Sequence, residues 1–179
     1  MMLRSAALPV TLLIVGLLVG GIGYADCITV GPPPENVAIQ WETSSPYAPS
    51  TSVSHSYVTC TVPSVTASLL KVLVSNLAPG DNCIIKGWLV DTGTFGGSLS
   101  SVITISAPPG CTSFTATGYS FSDNVAGKSI SGDGGKFQVV AEMSLGPSAG
   151  QPCRSGTAVA TDVITASCIG GGKGDNCCK

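Results

Sequence analysis

The sequence predicts an all-β fold: a jelly-roll or Ig-like β-sandwich of about seven to nine short strands, stapled by disulfides. Three observations carry that expectation. Only 10% of the residues are charged while 44% are hydrophobic, and 23 glycines and 12 prolines oppose long helices and favour many turns. Period-two alternation of apolar and polar residues recurs along the chain. All eight cysteines lie downstream of an apolar leader, an even count suited to an oxidising compartment.

The elements follow in chain order. Residues 1–25 read as a signal peptide: Arg4 supplies a positive charge, Ser5 to Gly20 run apolar, and Gly23-Tyr24-Ala25 places small residues before a cleavage point. An uncleaved anchor is the rival reading, since about 20 apolar residues would span a bilayer. Pro9 and the glycines weaken such a helix, and no basic stop-transfer cluster follows, so the expected mature chain starts at Asp26. Residues 26–34 combine a short apolar stretch, Cys27-Ile28-Thr29-Val30, with Gly31 and the stiff spacer Pro32-Pro33-Pro34. The sandwich domain is assigned to residues 35–169.

Within it, candidate strands are Glu35 to Thr43, His55 to Val62, Ser68 to Leu77, Cys83 to Val90, Leu99 to Ser106, Ser113 to Ser122, Phe137 to Leu145 and Ala158 to Cys168. Leu69 to Val74 and Cys83 to Val90 are apolar on both faces, which predicts central strands covered on each side. Phe137, Val139, Ala141, Met143 and Leu145 alternate cleanly, predicting one face in the core. Turn signals separate the runs, among them Pro79-Gly80-Asp81, Asp91-Thr92-Gly93 and Gly132-Asp133-Gly134-Gly135. Residues 170–179 form a Gly/Cys-rich tail, too glycine-rich for a strand interior.

The cysteines Cys27, Cys60, Cys83, Cys111, Cys153, Cys168, Cys177 and Cys178 allow about 105 pairings, so connectivity is not readable. Zinc is the competing use, but there is no Cys-x-x-Cys pair and His55 is the sole histidine. Cys27 and the adjacent Cys177 and Cys178 suit either a crosslink to a neighbouring chain or stapling within one chain.

The residue inventory points away from catalysis, and no catalytic residue, metal ligand or cofactor is expected. A serine hydrolase would need His55 as its base, and Ser54-His55-Ser56 looks like an exposed strand edge, not a catalytic elbow. The acidic residues are scattered singly, with no close pair in a short motif, and Asp123, Asn124 and Asp133 read as turn chemistry. A net charge of -2 leaves no basic patch for nucleic acid. Trp41 and Trp88 form a glycan-stacking platform or belong to core and subunit contacts. O-glycosylation of Thr43 to Ser56 stays open.

Asn76-Leu77-Ala78-Pro79-Gly80-Asp81, the following strand, and the turn Asp91-Thr92-Gly93-Thr94 resemble the "N-L-x-P-G-D" and "N-T-G-T" motifs of the TasA/camelysin family of exported fibre subunits. The motif positions are Asn76, Leu77, Pro79, Gly80, Asp81, Thr92 and Gly93. The leader ending Gly23-Tyr24-Ala25 is similar as well. The resemblance covers about 35 residues plus the leader junction, and archaeal bundling pili look similar in the same respect. It implies a jelly-roll-like sandwich that polymerises by donor-strand complementation. The chain departs from the bacterial members in its eight cysteines and low charge, and it lacks a His-Glu-x-x-His signature.

The expectation is therefore a structural subunit of an extracellular filament, a pilus or biofilm-matrix fibre, whose partner is a further copy of itself and, through bundling, neighbouring filaments. Cys27, Ile28, Thr29 and Val30 are the candidate donor strand, with Ile28 and Val30 on one face and Cys27 placed to lock it. No membrane contact is expected after leader cleavage. The alternative for the donor is an ordinary first strand of its own domain. The alternative function is a monomeric secreted adhesin or glycan-binding module.

Overall fold

The computed structural model describes residues 37–111, 116–154 and 156–168, all within the compact unit Glu35–Lys179. The candidate donor Cys27 to Val30, the leader, and Cys177 and Cys178 lie outside the described residues. The chain forms β1 (Ile39–Trp41), β2 (Ser50–Val53), β3 (Thr59–Val65), β4 (Leu69–Ser75), β5 (Asn82–Asp91), β6 (Gly97–Ser106), β7 (Tyr119–Asp123), β8 (Ser129–Ile130), β9 (Lys136–Leu145), the short helix α1 (Gln151–Arg154) and β10 (Thr157–Cys168).

Two antiparallel sheets form a sandwich, as the alternation predicts. One has the order β1-β5-β9-β7, with β2 pairing the first half of β5 while β1 pairs its end. The other has the order β3-β4-β10-β6-β8. The core is the sum of inward rows spaced two residues apart. Leu70, Val72 and Val74 of β4, Cys83, Ile85 and Leu89 of β5, Val139, Ala141, Met143 and Leu145 of β9, and Ala158, Ala160 and Ile164 of β10 are all buried. Each fully buried Leu, Ile, Val or Met contributes on the order of 1.5–3 kcal/mol. Tyr119 joins them because its hydroxyl donates to the Cys153 carbonyl at 2.7 Å, so the phenol brings a satisfied polar group into the core.

Several local expectations need correction. Strand Glu35 to Thr43 shortens to β1, because the chain turns at Ser44, whose carbonyl accepts from Tyr47 at 2.9 Å, and leaves β5's first half to β2. His55 to Val58 form a turn, not a strand edge, closed by the Val58 amide donating to His55 O at 3.1 Å. Of the strand expected over Ser113 to Ser122, residues 113–115 lie outside the described residues, 116–118 form a turn, and β7 begins at Tyr119. β4 and β5 are central strands, but their outward rows are half-exposed, with Lys71 and Lys86 in water. Strands β2 and β8 and helix α1 carry no alternation and are new.

The turns behave as their sequences dictate. Asp133 (φ 55°) and Gly134 (φ 83°) take consecutive left-handed conformations, and the Gly135 amide donates to Gly132 O across them at 3.2 Å. In the motif turn, Pro79 precedes Gly80 at φ 89°, a conformation that disfavours a side chain, and Asp81 N donates back to Ala78 O at 2.9 Å.

Candidate functional site

A sandwich of two open sheets has two margins, and here they are built differently. At the first margin, β3 of one sheet meets β2 and β5 of the other. The Cys60–Cys83 disulfide ties β3 to β5 across the sheets, with Cα atoms 6.2 Å apart. The Thr51 hydroxyl of β2 donates to Cys60 O at 3.3 Å. Pro63 lacks a donor, and the register of β3 shifts between Thr61 and Ser64, so this edge is bent and interrupted.

The motif turn strengthens the same margin. Asp81, 3% exposed, accepts from the Ala78 amide at 2.9 Å through one oxygen and contacts His55 Nδ1 at 2.6 Å through the other. Burial pushes the Asp81 carboxyl upward, but the Ala78 amide, the Tyr57 hydroxyl and His55 outweigh it and hold the carboxyl below its ordinary value. The bond to Asp81 in turn raises Tyr57. His55 stacks flat on Tyr57, ring centroids 5.2 Å apart, so the β2–β3 turn is clamped to the start of β5. An imidazole oriented by a buried carboxylate is half of a catalytic relay. Among the described residues no hydroxyl or thiol is hydrogen-bonded to its second nitrogen; what the contacts do show is the turn tied to Asp81.

The second margin lies between β6 and β7. β6 pairs with β10 along its whole length, but on its other side β8 covers only Gly97 and Ser98, and the last bonds there link Leu99 to Gly127 and Lys128. Ladder groups alternate sides, so the N–H and C=O of Ser101, Ile103 and Ile105 point to that open side, with no strand paired to them among the described residues. Ser100–Ser106 contains no proline, no charge and no bulge, and it is rich in β-branched residues. On the inward row, Ser101, Ile103 and Ile105 are only half-buried, against full burial of their neighbours on β10. Val102 on the outer row is 65% exposed.

Behind this edge lies a feature that the sequence reading missed. Asp162 falls in the inward row of β10 between Ala160 and Ile164, is 0% exposed, and neighbours Ile103 in register. Asp123, from the inward row of β7 in the other sheet, meets it within hydrogen-bonding reach. Asp123 Oδ1 accepts the Val125 amide at 2.8 Å, while its Oδ2 and both oxygens of Asp162 have no donor. Two ionised carboxylates only accept, so the pair forms a bond only when one carries a proton. Burial first, then the charge of Asp123, pushes Asp162 up to about 7.

The other expected site residues are placed as follows. Cys111 pairs with Cys153, joining the β6–β7 connection to α1, and Cys168 is disulfide-bonded as well. In the turn motif, Asn76 adopts φ 62°, Leu77 is buried, Thr92 donates from both its amide and its hydroxyl to Ala38 O, and the Gly93 amide donates to Asp91 Oδ1 at 2.8 Å. Trp41 is in the core, whereas Trp88 lies on the outer face edge-on to Tyr47, so the two tryptophans form no common platform. Among the described residues no group of three or more potential metal-ligating side chains comes together, and no helix is long and apolar enough to cross a membrane. The disulfides place the domain in an oxidising compartment. Comparison with protein families, curated proteins and solved structures finds no match to this chain.

Proposed function

We propose that this chain is the structural subunit of an extracellular filament that polymerises head-to-tail, the β6 edge of one copy receiving a strand from the next. The observation that carries the reading is the uncharged, proline-free edge Ser100–Ser106, backed by the half-buried Ile103 and Ile105. Natural sheets blunt their edges, and an edge left flat and apolar is a template for another strand. Asp26 to Val30 is the proposed donor. Its backbone would take up the free groups of Ser101, Ile103 and Ile105 at about 1 kcal/mol per bond, and Ile28 and Val30 would add on the order of 1.5–3 kcal/mol each. Donor and acceptor surfaces differ, so the contact propagates as an open fibre. No cofactor or catalytic step is part of this reading.

Negative-stain electron microscopy of the oxidised secreted protein tests it. Thin uniform filaments are expected from the native chain, and none from the double variant Val102→Lys, Thr104→Lys, which places charges on the outer row without touching the core. The double variant should unfold within about 0.5 kcal/mol of the native protein. Compact monodisperse particles from the native chain, coupled with glycan binding, would favour the monomeric adhesin instead.

A further inference from the structure

The wholly buried Asp162 and the half-buried Asp123 come from different sheets and meet beside the open edge, at the margin away from the Cys60–Cys83 bond. We propose that the two carboxyls hold one proton between them and that this proton clasps the sheets at the open margin, so that the strand-accepting edge is tight while the proton is held and loosens when it is lost. Only the consequence for assembly rests on the filament reading; the clasp itself does not.

The chemistry follows from what surrounds the pair. Asp162 is wholly buried with both oxygens unpartnered, an arrangement that is costly for a charge and cheap for a neutral acid donating to its neighbour. Protonated Asp162 would donate to Asp123 Oδ2, which satisfies that acceptor and one of the two orphaned oxygens of Asp162. Among the described residues no cation faces the pair. β6 and β8 carry no charged residue, Lys71 of β4 and Lys86 of β5 lie in outward rows, and so do Lys136 and Glu142 of β9. The remaining inward titratable groups are Tyr119 of β7, engaged with Cys153 O, and Asp91 of β5, which accepts from Ala38 and Gly93. Loss of the proton leaves two like charges in close contact between the sheets, which weakens their hold on each other at this margin.

The direction of the pH effect is fixed by the raised value. Asp162 titrates near 3.8 when unfolded and at about 7 when folded, so the folded state keeps a proton that the unfolded chain has released. The clasp's stability is complete below the unfolded value, declines as pH rises toward about 7, and is lost above it.

The test is the thermal midpoint of the full-length oxidised protein across this range. The native protein should lose roughly 5–10 °C between about pH 5 and pH 8, while Asp162→Asn, whose amide can donate to Asp123 without titrating, should show none of that slope and melt higher at the upper end. Amide deuterium exchange at Val102 and Thr104, whose N–H groups face β10, corrected for the intrinsic rate, should accelerate above about pH 7 in the native chain and not in Asp162→Asn. Filament elongation should change with pH over the same interval in the native chain only. An unchanged slope in Asp162→Asn overturns the clasp, as does a slope abolished by millimolar calcium, which would make the ligand a metal instead of a proton. Absence of filaments at every pH, with the midpoint slope still removed by Asp162→Asn, leaves the clasp standing and overturns the filament reading.

Discussion

The strands β3 and β6 belong to the same sheet, yet one is sealed and the other has no strand paired along its Ser100–Ser106 side among the described residues. β3 has a proline, a register shift, a disulfide to the facing sheet and a neighbouring turn clamped by Asp81. β6 runs straight along Ser100–Ser106 with alternating Ser, Thr, Val and Ile and no such device. The chain therefore manages the pairing hazard at one margin and, among the described residues, carries no such device at the other. This difference between the two edges is what the filament proposal rests on, since the fold class alone does not distinguish them.

The comparison can be broken first at its strongest point. Replacing Cys60 and Cys83 together by Ser should cost about 3 kcal/mol, read as a lower urea midpoint, because the bond closes a long loop in the unfolded chain. A smaller cost, about 1–2 kcal/mol, is expected for Asp81→Asn, which weakens the grip on His55 and on the Ala78 amide. Asp81 is held below its ordinary value, so its contribution is complete above that value and is lost as pH falls through the folded one. A urea titration repeated toward low pH should show the native protein converging on Asp81→Asn. The least effect on stability, within about 0.5 kcal/mol, is expected for Pro63→Val. That change should nevertheless give β3 a usable edge, seen as concentration-dependent light scattering, and unchanged scattering would mean that the register shift alone protects this margin.

How much of this was legible in the sequence differs by element. β9 and β10 announce themselves through strict alternation, because each has one row in the core. β2, Ser-Thr-Ser-Val, is exposed at every position, so no burial constraint writes a pattern into it. β8 is two residues long, below the reach of any periodicity. The turn at His55 was misread as strand because its long-range partner, Asp81, sets its conformation. The aspartate pair was invisible as a short motif, since its members lie on different strands of different sheets. One signal was available: Asp162 interrupts the row Ala158, Ala160, Ile164, where alternation demands an apolar residue.

The Cys60–Cys83 bond also sets how the molecule can deform. It fixes the spacing of the sheets at one margin, so any separation elsewhere takes the form of rotation about that line. The strand order places β6 three strand spacings from β3, a lever arm of roughly 14 Å. A rotation of about 10° would then widen the β6–β7 mouth by ~2.5 Å while moving β4 by about a third as much. Gape is thus concentrated at the far margin, and the packing around Leu70 and Val72 is disturbed least.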